Sequence, residues 1–186
     1  MRGLIVAVLL LPSFAAAATL RDVVVDRIDG VYTLKSQVWI DAGVEQTYAV
    51  FRDWDLSTRF SSVVVESRDV APDETGRPGF YNRNRACIWF YCKSFERHGW
   101  VDARPYEFIE ATADPERSDF HLSVERWEFV AEERGTLVKY SLEMRPKFFI
   151  PPLIGPALVK HKLKTDSGDA IDRIERIAQE QETDAN

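Results

Sequence analysis

The 186-residue chain is 45% hydrophobic and 29% charged, with 9 Gly, 9 Pro and 2 Cys. This suits one domain with its own core and excludes disorder, a collagen-like repeat and a disulfide-dense miniprotein. Acidic residues outnumber basic ones by 30 to 24, a net charge of −6 that speaks against nucleic acid as a partner, and the 12% aromatic content, five Trp included, is a heavy load to house.

The first feature in chain order is a leader. Met1-Arg2 gives a positive start, Leu4 to Leu11 is an unbroken apolar run, and Ala16-Ala17-Ala18 supplies an A-x-A cleavage site. This is the pattern of a secretory signal peptide over residues 1–18, with an apolar run too short to span a bilayer of about 30 Å. Cleavage after Ala18 leaves a single domain over 19–180 and a polar tail over 181–186, in a periplasmic or secreted protein. No Cys stands at the cleavage point to carry a lipid anchor.

Residues 31–40 alternate as a half-buried strand does, with Tyr32, Leu34, Ser36, Val38 and Ile40 on one face. Asp41 is a candidate N-cap, and Val44, Tyr48, Phe51 and Trp54 recur at helical spacing, predicting a helix of about three turns. Residues 61–70 are β-branched and read as a strand, and 72–79 are rich in turn formers. Five more strands follow near 80–90, 92–102, 106–113, 119–130 and 136–145. The breaks between them are too short for a parallel crossover, so the run is an antiparallel meander.

Pro146, Pro151 and Pro152 interrupt regular structure, and the longest helical pattern spans 153–179. Leu163, Ala170, Ile171, Ile174 and Ile177 form its apolar stripe, while Gly155-Pro156 and Gly168 are places where it can kink or break. The fold class is therefore α+β: a short helix after the first strand, then an antiparallel sheet whose buried face a long C-terminal helix must cover. If the sheet curls around that helix, large apolar side chains line the space between them.

This order resembles the START-like superfamily, also called SRPBCC or the helix-grip fold. Trp127-Glu128-Phe129 followed by Gly135-Thr136-Leu137-Val138-Lys139-Tyr140 is similar to a strand pair of its polyketide-cyclase and coenzyme-Q-binding branches. The block from Pro146-Lys147-Phe148-Phe149-Ile150 through Pro151-Pro152-Leu153-Ile154-Gly155-Pro156 resembles the approach to the last helix in exported bacterial members. The likeness covers about residues 32–178 and implies an internal cavity for a hydrophobic ligand such as a lipid, an isoprenoid quinone or a polyketide. Its members include carriers, cyclases and hydrolases, so the fold leaves the function open.

Candidate cavity-lining, ligand-binding residues are Phe51, Tyr81, Trp100, Phe108, Trp127, Phe129, Tyr140, Leu163 and Ile171. Cys87 and Cys92 form a disulfide only if the chain reverses within Ile88-Trp89-Phe90-Tyr91, since five extended residues span about 16 Å. Two buried thiols are the alternative. The aromatic triplet at that tip, and Phe148-Phe149-Ile150 ahead of Lys160, His161, Lys162 and Lys164, offer a transient membrane contact. Packing of either segment onto the core is the plainer reading.

His98, His121 and His161 show no zinc-binding spacing, and neither a nucleophile elbow nor a phosphate loop is present, so no metal and no cofactor is implied. Glu66, Arg83, Arg85, Glu125 and Arg126 stand on strands, and any that points inward would anchor a polar headgroup. Three functions follow. The first is an exported monomeric carrier of a hydrophobic small molecule with no chemistry of its own. The second is a cyclase- or hydrolase-like enzyme with His121 paired to Glu125 or Arg85, positions 121 and 125 sharing a face of a regular strand. The third is an envelope interaction module with a filled core.

Overall fold

Asp29 and Gly30 take positive φ angles of 50° and 80°, the two-residue turn whose twist suits a hairpin. Thr19–Ile28 (β1) therefore folds back antiparallel onto Val31–Ile40 (β2). β1 precedes the first strand that alternation predicts, and the Asp-Gly dipeptide is its signal. The computed structural model describes residues 19–88, 90–151 and 155–184, with the side chains of 19–21, 163–167 and 184 outside that set. The leader expected over 1–18 also lies outside the described residues.

β2 leads into Val44–Arg52 (α1), a short 3-10 helix at Trp54–Leu56 and the single turn Ser57–Phe60 (α2). Asp41 is not the cap of α1. That position falls to Gly43, without a side-chain bond, because the backbone of Asp41 is taken up by the C-terminal helix. Its N–H donates to Glu175 Oε2 at 2.8 Å and its carbonyl accepts from Gln179 Nε2 at 2.7 Å. Asp53 caps the 3-10 helix instead, accepting from the N–H groups of Asp55 and Leu56.

Val64–Val70 (β3), Gly79–Ile88 (β4), Tyr91–Arg104 (β5), Phe108–Ala113 (β6), Phe120–Glu132 (β7) and Gly135–Pro146 (β8) complete the strands. All eight form one antiparallel sheet in the order β1-β2-β8-β7-β6-β5-β4-β3, so the meander from β3 to β8 ends against β2. Gly99 lets β5 and β6 approach, since a Cβ there would lie 1.9 Å from the Thr112 carbonyl oxygen.

Pro156–Asp184 (α3) is a continuous helix. It starts at Pro156, where a missing N–H costs nothing, passes Gly168 without a break and includes residues 181–184 that the sequence had placed in a tail. Its stripe of Ile171, Ile174, Ile177 and Ala178 packs on the inner sheet face, against Val38, Ile40, Phe80, Val101, Ile109, Ala111, Phe129 and Val138. Each fully buried aliphatic side chain there contributes about 1.5–3 kcal/mol of apolar transfer. The result is an α+β helix-grip arrangement in which the curled sheet holds the last helix.

Candidate functional site

The main core fills one end of the space between sheet and helix, and a smaller cluster of Val23, Val25 and Leu34 packs towards Val159 of α3 along the β1–β2 edge. In the main core Trp54 stacks on Phe80 with ring centroids 4.6 Å apart, and Phe51 meets Phe129 at 5.5 Å and Trp127 at 6.1 Å. Towards the β4–β5 turn the inner positions become small or polar, among them Asn82, Asn84, Ala86 and Ser123, and they leave a cavity of about 680 Å³. Its apolar wall includes Phe51, Trp54, Phe60, Trp127, Leu142 and Met144, with Val159 and Ala170 contributed by α3. Cys87, Ile88 and residues 61–65 border it at the end near the turn.

Among the described residues, a buried ion pair stands in that wall. Arg97 Nη1 on β5 donates to Glu125 Oε2 on β7 at 2.5 Å, and the Tyr140 hydroxyl on β8 donates to Glu125 Oε1 at 2.6 Å. The Arg97 and Glu125 side chains are only 8% and 15% exposed. Burial, and then the charge and hydrogen bond of Glu125, hold the Tyr140 phenol well above its ordinary range, so it stays a donor. Asn84 Nδ2 donates to Asn82 Oδ1 at 2.9 Å on the same wall. Among the described residues, Arg97 Nε and Nη2 are buried without a hydrogen-bond partner.

The nine residues expected to line the cavity separate into groups. Phe51, Trp127 and Tyr140 do stand in its wall. Phe129 and Ile171 face inward but lie in the packed half. Tyr81, Trp100 and Phe108 are on the opposite face of the sheet. Even positions of β4 and odd positions of β5 and β6 point inward, which puts these three outward. Outside, they lie beneath guanidinium groups: Arg68 is 4.2 Å from the Tyr81 ring, Arg77 4.3 Å from Trp100 and Arg126 4.1 Å from Phe108. The side chain of Leu163 lies outside the described residues.

The acid/base pair expected from His121 and Glu125 is not formed. β7 shifts register between Phe120 and Leu122, so Phe120 and Ser123 are both buried and His121 is exposed between them. The even-spacing argument assumed a regular strand. Arg85 is exposed at the rim, Arg126 pairs outside with Glu110 and Glu128, and Glu66 pairs outside with Arg68 and Arg83. Of the strand charges singled out, Glu125 alone points in, and its partner Arg97 had not been singled out. The run Phe95-Glu96-Arg97-His98-Gly99-Trp100 carries an aromatic and charges on both faces, so alternation could not assign a side.

Cys87 and Cys92 are bonded across the β4–β5 hairpin, with Cα atoms 4.1 Å apart. Of the tip residues, Trp89 lies outside the described residues and Phe90 is 91% exposed. The Tyr91 hydroxyl donates to the Phe149 carbonyl at 2.8 Å, tying the hairpin to the loop after β8. In that loop Phe148 packs on Phe95 and Phe120 at 5.7 Å, while Phe149 is 71% exposed. Two bare aromatics, Phe90 and Phe149, thus stand by the β4–β5 hairpin, whose Cys87 and Ile88 border the cavity. Elsewhere, Asp53, Asp55 and Asp69 form an exposed carboxylate group, but Asp53 is engaged as a cap and Asp69 by Arg52.

Neither protein-family models nor curated proteins match the chain. Solved structures do. A STAR-related lipid transfer protein fragment from Xanthomonas axonopodis aligns over 86% of this chain and 99% of its own, with a TM-score of 0.62 and 16% identity. A START superfamily protein from Mycobacterium smegmatis covers 78% and 98%, with a TM-score of 0.59 and 19% identity. An aromatase/cyclase from a Streptomyces species covers 80% and 94%, with a TM-score of 0.58 and 9% identity. At these identities the likeness is one of fold.

Proposed function

We propose, from the START-like helix-grip fold that this chain has, that it is an exported carrier holding a hydrophobic small molecule between sheet and helix. The observation that carries the reading is the cavity of about 680 Å³, a volume suited to a small apolar ligand, with aromatic and aliphatic walls around one ion pair. Apolar burial, at about 25 cal/mol per Å², would supply most of the affinity. Lipids, isoprenoid quinones and polyketides are the candidate classes, in keeping with the lipid transfer protein and the aromatase/cyclase that share the fold. No acid/base pair built on His121 is available inside, so binding is favoured over catalysis.

Export rests on the leader over 1–18 and on the Cys87–Cys92 disulfide, a bond that persists in oxidising compartments. Phe90 and Phe149, bare by the β4–β5 hairpin that borders the cavity, would touch a membrane surface transiently during loading or release. The test is native mass spectrometry of the chain purified from the compartment it is exported to. An apolar species should co-purify, and Ala86→Trp, which fills the cavity from its β4 wall, should remove it while the fold persists. A chain that carries nothing and takes up no apolar probe would overturn the carrier reading. Retention of residues 1–18 on a cytoplasmic protein would overturn export.

A further inference from the structure

Arg97 has more donors than its neighbours use. The guanidinium lies 5.4 Å from the centre of the Phe80 ring, but only Nη1 makes a hydrogen bond, to Glu125 Oε2, while Nε and Nη2 are buried with no hydrogen-bond partner among the described residues. Glu125 does not take them: its Oε2 accepts from Nη1 alone, and its Oε1 accepts from Tyr140. A guanidinium buried with idle N–H groups is costly, and the cost is recovered when an acceptor arrives. Arg97, Glu125 and Tyr140 all stand in the cavity wall, so that acceptor can come from a bound ligand.

The charge of the site selects the kind of acceptor. Arg97 and Glu125 neutralise each other, leaving surplus donors without surplus charge. A carboxylate or phosphate would bring a second anion beside Glu125 in a low-dielectric space, with no cation left to match it. The other basic residues of the wall, Arg85 and Lys162, are exposed. A carbonyl oxygen accepts the same hydrogen bonds and brings no charge.

We propose that Arg97, held by Glu125 and Tyr140, is a recognition site for a neutral carbonyl group on an otherwise apolar ligand: a ketone, ester or quinone rather than a free acid. The ligand's apolar body lies among Trp54, Phe60, Trp127, Leu142 and Met144. Arg97 is the binding residue, and Glu125 and Tyr140 are positioning residues that fix its guanidinium and cancel its charge. This deepens the carrier reading and rests on it.

The test is displacement of the fluorescent probe phenylnaphthylamine by three straight-chain compounds of equal length: a methyl ketone, the alkane and the fatty acid. The ketone should displace the probe at a concentration at least about tenfold lower than either of the others, the yield of one hydrogen bond to a charged donor. Arg97→Met combined with Glu125→Gln keeps the wall neutral and should bring the ketone down to the level of the alkane. Glu125→Gln alone retains Arg97 and leaves its charge unmatched, so preference should pass from the ketone to the fatty acid. This variant tests the charge argument even if the double variant fails to fold. Equal displacement by ketone and alkane, a wild-type preference for the fatty acid, or a ketone preference that survives loss of Arg97 would overturn the proposal and leave the carrier standing. No probe uptake and no displacement by any compound would overturn both.

Discussion

The two ends of the space beneath α3 are built on the same strands and covered by the same helix, yet one is solid and the other hollow. In the solid half, α1, the 3-10 helix and α2 insert Phe51, Trp54 and Phe60 between sheet and helix, and Ile171, Ile174 and Ile177 close down on them. In the hollow half the same Phe51, Trp54 and Phe60 form only the boundary wall, the sheet offers Asn82, Asn84, Ala86 and Ser123, and an ion pair occupies the wall. The contrast teaches that stability and binding are divided along one helix. The packed half keeps the sheet curled, and its rigidity lets the other half stay open without collapse.

That division breaks most visibly if the packed half is cut. Trp54→Ala removes a ring that is 4% exposed and stacked on Phe80, and should cost about 3–5 kcal/mol of unfolding free energy in a urea titration. In the hollow half the outcome depends on pairing rather than size. Arg97→Met alone strands the Glu125 carboxylate and should cost about 3–5 kcal/mol, whereas Arg97→Met with Glu125→Met should recover most of it. Equal losses in the single and double variants would show that the pair contributes by filling space, as the packed half does. Smaller still, reduction of the Cys87–Cys92 bond should lower stability by about 2 kcal/mol and loosen the hairpin tip without changing the core.

The pH profile sharpens the comparison at its weakest end. Tyr140 holds its proton well above the ordinary 10.0, because burial and then Glu125 disfavour the phenolate. Stability from this group is full below pH 10 and is lost as pH rises above it, since the unfolded chain releases a proton that the folded chain retains. Tyr140→Phe should flatten that alkaline decline in thermal melts. His98, on the outer face, is displaced below 6.5 by burial and then by Arg117. Its contribution runs the other way, full above pH 6.5 and shrinking as pH falls below it, and His98→Gln should remove that acid slope.

Much of the architecture was legible from residue order. The meander showed in turn residues spaced by strand-length runs, and the C-terminal helix in the recurrence of Ile171, Ile174 and Ile177. The hairpin of β1 and β2 is written in Asp29-Gly30, although β1 follows directly on the leader and shows little alternation of its own. The site was far less legible. Tyr81, Trp100 and Phe108 look as apolar as Trp127 and Tyr140, and only strand parity separates those that stand beneath arginines outside from those that face the cavity. His121 was misplaced because a single register shift in β7 moves a side chain to the other face.

What the sequence by itself determined was local and periodic: which segments are strands, where the long helix runs, and that the two cysteines are close enough to bond if the chain turns between them. Tertiary structure decided which face of each strand is inside, that Arg97 meets Glu125 from 28 residues away, and that the pair stands in a cavity. The reason is that alternation repeats every two residues and carries no absolute sign. The sign is set when α3 chooses a face of the sheet to cover, and one inserted residue reverses it.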